Sequence, residues 1–187
     1  MQYWISNIIT GFVLNHELER DGPMFGFLKG QCTEANIEFI KNELNAVLSI
    51  PELAHCKTKL LQIGLTNVII TRALIDVLDI DVNMEDSNGD TMLTLIDVNT
   101  DNQAIDFLLE KRADMDHRNK QNNTPLMQVT RKKQMWGRYD YEVIQTKLIE
   151  ANASVTITND RGLSPLQLDP GLKEIYSQHC WDKMHNN

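Results

Sequence analysis

Only three cysteines, Cys32, Cys56 and Cys180, stand in 187 residues, far apart and with no Cys-x-x-Cys pair. That count and spacing exclude a disulfide framework and a zinc ribbon, and they suit a reducing, cytoplasmic setting. Positive charge is also scarce: 18 Lys and Arg against 26 Asp and Glu give a net charge of −8, which excludes a general nucleic-acid binder with a broad basic face. Long hydrophobic runs are missing. The apolar stretch Met1 to Leu14 is too short to span a bilayer, and with its first basic residue at Arg20 it lacks the charged start of a signal peptide, so neither a membrane span nor a secretion signal is expected. There is no Gly-rich phosphate loop and no HExxH, and His16, His55, His117, His179 and His185 are dispersed away from any nucleophile motif. The expectation is a protein with no catalytic residue, no cofactor and no metal. The one local cluster of potential metal ligands, His179-Cys180-Trp181-Asp182-Lys183-Met184-His185, fits no established zinc spacing and reads as part of a solvated polar tail over 181–187.

What the chain does contain is an internal period. At 42% hydrophobic and 24% charged residues it has the composition of one compact domain. Asp86-Ser87-Asn88-Gly89-Asp90-Thr91-Met92-Leu93 recurs as Asn119-Lys120-Gln121-Asn122-Asn123-Thr124-Pro125-Leu126, a step of 33. It recurs again as Asn159-Asp160-Arg161-Gly162-Leu163-Ser164-Pro165-Leu166, a step of 40. Between the copies, Ile105 to Ala113 aligns with Gln145 to Ala153, and a step of 33 back from Ala113 lands on Ile80, so a more degenerate unit containing Thr58 and Leu60 precedes the first clear one.

This order of Asx, Gly, Thr-Pro-Leu and a later Leu-Leu resembles the ankyrin repeat, over roughly residues 50 to 180. Thr124-Pro125-Leu126, Ser164-Pro165-Leu166, Asp86 to Gly89 and Leu108-Leu109 carry the resemblance. The signature His is replaced by Thr94, Met127 and Gln167, and the Gly of its Gly-Ala by Asp79, Arg112 and Asn152. The resemblance implies an all-α solenoid of helix-turn-helix units joined by β-turn loops. It also implies that the work of the chain is to bind another protein.

Local chemistry agrees. Thr124 and Ser164 can cap orphan amides, and Pro125 and Pro165 suit a first helical turn that needs no N–H, so helices should start there. Gly89, Gly162 and Asn122 suit a tight turn with positive φ. Leu126 and Leu166 should be buried between helices. Upstream, Trp4, Ile8 and Phe12 with Ile5, Ile9 and Val13 form an apolar stripe on one helix, and Glu34 to Leu48 reads as a longer amphipathic one, making 1–49 a helical segment or degenerate capping repeat. After Pro165 a break at Asp169-Pro170-Gly171 precedes a final helix from Leu172 to Tyr176, and the repeats are expected to finish there.

In the family, partners are bound by turn tips and by the first helix of each repeat. By position this carries over to tips containing Glu85, Ser87, Asn88, His117, Arg118, Lys120 and Arg161, and to inner-helix positions Thr94, Met127, Gln128 and Arg131. Asn83 falls on the turn position that asparagine hydroxylases modify in many such repeats; holding the turn is its expected role. The unit of 40 is seven residues longer than that of 33, and its surplus falls in Arg131-Lys132-Lys133-Gln134-Met135-Trp136-Gly137-Arg138-Tyr139-Asp140-Tyr141. Insertions in repeats map to loops that often bind, and this one puts Arg131, Lys132, Lys133 and Arg138 with Trp136, Tyr139 and Tyr141 in an acidic protein. The alternative is an extended helix pair with Trp136 packed on a neighbour. The rival functions are a bacterial effector acting in a host cell, and a regulatory or targeting part of an enzyme. Partner identity and oligomeric state are not encoded in these patterns.

Overall fold

A threonine or serine followed by proline starts a helix at two places in the chain. Thr124 accepts from the Met127 amide with Pro125 at the first helical position, and Ser164 with Gln167 forms a reciprocal capping box ahead of Pro165, each satisfying amides that the first turn leaves without partners. The computed structural model describes residues 38, 41, 42, 45, 46, 49, 54–137 and 139–185. Among them every regular element is helical, as the period of hydrophobic residues requires. The expected apolar stripe at Trp4 to Val13 and most of the helix at Glu34 to Leu48 lie outside the described residues, and so does Arg138.

In chain order the helices are α1 (Ala54–Gly64), α2 (Val68–Arg72, running on into a π-helical segment Ala73–Val77), α3 (Met92–Leu95), α4 (Asn102–Glu110), α5 (Pro125–Trp136), α6 (Asp140–Glu150), α7 (Pro165–Leu168) and α8 (Leu172–His185). They follow one another as first and second helices of four units. The first helices form one row, α1 on α3, α3 on α5, α5 on α7; in the second row α2 lies on α4 and α6 on α8. One continuous core runs through all units, from Leu61 and Leu74 through Met92, Leu93 and Leu108 to Leu126 and Leu148. Leu166 is only half-buried, short of the burial expected of it, because the four-residue α7 covers it on fewer sides. The final helix continues to His185, so residues 181–185 are helical instead of the polar tail expected from their composition.

The second helices end alike. Asp79, Arg112 and Asn152 adopt φ of 59°, 60° and 75°, the left-handed geometry that closes a helix and that glycine adopts without strain. These are the positions where the ankyrin signature has glycine. In α4 and α6 the closing bonds run from Ala113 N to Leu108 O (3.0 Å) and Ala153 N to Leu148 O (2.9 Å). In α2 the bond runs from Ile80 N to Leu74 O (2.9 Å), one residue further. The N-caps show why: Asn67 and Asp101 are 34 residues apart while Asp79 and Arg112 are 33 apart. The extra residue is taken up as the π-helical turn.

The turns between units are built on one repeated device. Asp86, Asn119 and Asn159 each turn a side-chain Oδ1 back onto two amides of their own loop: Asn88 and Asp90, Gln121 and Asn123, Arg161 and Leu163 (2.7–3.2 Å). The second atom of each side chain reaches the preceding unit. Asp86 Oδ2 accepts from Thr58 Oγ1 (2.5 Å), Asn119 Nδ2 donates to Asp90 Oδ1 (2.9 Å), and Asn159 Nδ2 donates to Asn123 Oδ1 (2.9 Å). Donor faces acceptor at every step, so the choice of Asp or Asn is dictated by the neighbour. The backbone repeats the link, Lys120 N to Asn88 O and Asp160 N to Gln121 O (3.0 and 3.3 Å). Gly89 serves this approach twice over: its φ is 72°, and a Cβ there would stand 3.2 Å from Lys120 N. Asn83 also bridges turns, accepting from Asp114 N (2.8 Å), as Asp116 accepts from Ser154 N (2.8 Å).

Candidate functional site

The seven surplus residues lengthen a helix instead of forming a loop. α5 has 12 residues against four in α3, and only residues 137–139 connect it to α6. Its far half is braced on both sides. Lys132 Nζ donates to Leu95 O and Ile96 O (3.3 and 2.5 Å), where the carbonyls of the short α3 run out of partners and a cation is favoured. Burial of that ammonium lowers its pKa, against an upward pull from Asp97 and Asp90. On the other side Lys133 Nζ meets Asp169 (3.1 Å) and Glu142 (3.8 Å), and Gln134 Nε2 donates to Leu168 O. Gly137, in the left-handed region at φ 60°, closes the helix with its amide on Lys133 O (2.7 Å).

Beyond the brace, the tip stands in solvent. Met135 is 70%, Trp136 65% and Tyr139 74% exposed, with Val143 beside them in sequence also partly open. Large apolar side chains grouped in one short segment are the exception on a monomer surface. The alternative of an extended helix is therefore the observed one, while the packing of Trp136 on a neighbour is not.

Beside the tip lies a groove of about 350 Å³ lined by Gln121, Asn123 and Arg131 on one side and by Asn159, Asp160, Arg161, Leu163 and Leu168 on the other. It sits between the second and third β-turns and the middle of α5. Arg131 is half-buried and Arg161 exposed. Asn123 is 2% exposed; its Oδ1 is taken by Asn159, and its amide NH2 has no acceptor among the described residues.

The structure sorts the residues singled out in the sequence. It brings Arg131 and Arg161 to one groove and leaves Trp136 and Tyr139 exposed at one tip. Ser87, Asn88 and Lys120 are exposed on the turns. Several expectations are corrected. Tyr141 is 3% exposed and belongs to the core, because the first turn of α6 directs it inward. Lys132 and Lys133 are committed to the brace. His117 Nε2 donates to Gly89 O (2.8 Å) and lies 3.7 Å from Glu85, and Arg118 donates to Thr158 O (2.8 Å); both hold neighbouring turns together. Thr94 and Met127, expected to face the binding surface, are buried, Thr94 with its hydroxyl donating to Thr91 O (2.9 Å). Asn123, Asn159 and Leu168 went unselected: the repeat alignment placed the two asparagines in turns, but nothing in one strand of sequence shows that two turns and α5 enclose a space.

In the C-terminal cluster, His185 stacks on Trp181 at 4.2 Å and its Nδ1 bonds Trp181 O (2.8 Å). The Cys180 thiol bonded to the Tyr176 hydroxyl raises the pKa of Tyr176. No helix among the described residues is long and apolar enough to cross a membrane. No known protein-family model matches the chain, and no curated protein matches it.

Proposed function

We propose that the chain is an ankyrin-type repeat stack that binds another protein, without catalysing a reaction, in a reducing intracellular compartment. The repeated turn device, the left-handed helix ends at the signature glycine positions and the two rows of helices support the ankyrin reading. The binding reading rests on one observation: Trp136 and Tyr139 stand exposed on a tip whose helix is fixed by Lys132, Lys133 and Gln134 to the units on either side. Aromatic residues dominate binding hot spots because they bury large area with little loss of side-chain freedom, and a braced tip has less ordering left to do on binding. The partner face is therefore expected to be acidic or rich in aromatics, with the basic groove adjoining it.

The test is the pair Trp136→Ala and Tyr139→Ala, each assayed for thermal melting and for capture of the partner. Exposed rings predict unchanged melting and lost capture. A large fall in melting temperature with capture retained would mean that the rings hold the fold together, and the reading would fail.

A further inference from the structure

We infer that the groove between the second and third turns is a receptor for an acidic side chain of the partner, taken from a peptide segment that alternates acidic and aliphatic residues. The inference builds on the partner-binding reading and specifies its chemistry. Most cations near the tip already have partners. Lys132 is spent on the carbonyls of Leu95 and Ile96, Lys133 on Asp169 and Glu142, and Arg118 on Thr158 O. Among the described residues Arg131 and Arg161 have no ionic or side-chain hydrogen-bonding partner, and both line the same cavity.

The other groups there favour the same ligand. Asn123 lines the groove with its Oδ1 already accepting from Asn159, which leaves its NH2 as a donor there. Asp160, the one carboxylate of the lining, already accepts from Asn122 Nδ2. Donors thus outnumber acceptors, and an incoming carboxylate supplies acceptors for two guanidinium groups and the Asn123 amide. Leu163 and Leu168 give one wall an apolar character that suits an aliphatic neighbour of the acidic residue. A space of about 350 Å³ accommodates a few side chains, at the lower end of ordinary ligand sites. In a protein of net charge −8 an acidic segment is repelled elsewhere, so the groove also sets where on the surface it docks.

The probes are two blocked peptides, acetyl-Leu-Glu-Leu-Glu-Leu-amide and its counterpart with glutamine in place of glutamate, titrated into the whole chain by calorimetry. The acidic peptide is expected to bind saturably, and the glutamine peptide about tenfold or more weaker, as the loss of a charge-assisted hydrogen bond implies. Arg131→Gln and Arg161→Gln should each weaken the acidic peptide by a similar factor, and added salt should weaken it further. Should Arg131→Gln lower the melting temperature, Arg161→Gln, on an exposed turn, carries the test alone. Equal affinity for the two peptides, unchanged affinity in the arginine variants, or no saturable binding at millimolar peptide overturns the inference. If the groove fails in this way while capture of the partner still depends on Trp136, the acid-receptor inference falls and the binding reading stands; if both fail, the binding reading falls with it.

Discussion

Replacing Asn119 by Asp changes one atom at the joint between two turns and should destabilise the protein in a pH-dependent way. Asn119 is buried, its Oδ1 accepts from Gln121 N and Asn123 N, and its Nδ2 donates to Asp90 Oδ1 at 2.9 Å. Asn119→Asp keeps the acceptor but sets two carboxylates at that distance, a contact in which both cannot stay ionised. The pair escapes by taking up one proton, after which an O–H donor restores the lost bond. Holding a proton on a carboxyl of ordinary pKa near 4 costs about 4 kcal/mol at pH 7, and about 1.4 kcal/mol less for each unit the pH falls. The variant should therefore lose about 3–4 kcal/mol at pH 7 and about 1–2 kcal/mol at pH 5. The sign follows from linkage: the folded variant binds more protons than the unfolded chain, so its stability relative to wild type rises as pH falls. Urea denaturation of both proteins at the two pH values measures this. Adding Asp90→Asn returns a donor to the joint and should recover most of the loss. A penalty below about 0.5 kcal/mol at pH 7, a penalty independent of pH, or no recovery in the double variant would refute the donor-to-acceptor account of the turns.

Leu126→Ala, at a fully buried position, should lower unfolding free energy by about 2–5 kcal/mol in urea, while Leu166→Ala, half-buried, should cost clearly less. Arg112→Gly relieves a left-handed residue at φ 60° and should raise stability by up to about 1 kcal/mol after the added freedom of the unfolded chain is set against it; a lower melting temperature would show that the arginine makes a compensating contact. Burial holds the Lys132 pKa below 10.5, so between its folded value and 10.5 the unfolded chain holds more protons than the folded one, and wild type should gain stability relative to Lys132→Met as pH rises through that window. A difference that stays flat in denaturation at pH 9 and pH 11 would mean the ammonium is not desolvated.

The fold was legible where a residue type has one physical use. Thr124-Pro125 and Ser164-Pro165 announced helix starts, and Gly89, Asn122 and Gly162 announced turns with positive φ (72°, 56° and 71°). The period of 33 located the units, but it aligned Asp79, Arg112 and Asn152 only as departures from the signature glycine, and their left-handed φ is seen in the structure alone. The π-helical turn after Arg72 was not visible, because a one-residue surplus leaves hydrophobic spacing almost unchanged. The candidate site was read in part. Composition picked out the segment 131–141 but not which of its side chains point outward: Tyr141 and Trp136 look alike in sequence, and one is core while the other is solvent-exposed. Nor could charge alone separate Lys132 and Lys133, held by α3 and by Asp169, from Arg131, which faces the groove. Those assignments depend on contacts 36 and 37 residues away.

The most direct measurement of the binding claim is a calorimetric titration of the purified partner, recovered by capture from the protein's own cells, into wild type and into the double variant Trp136→Ala with Tyr139→Ala. Two exposed aromatic hot spots predict an affinity loss of roughly thirtyfold or more at an unchanged melting temperature; affinities that agree within about twofold would contradict the claim that this tip is where the protein binds.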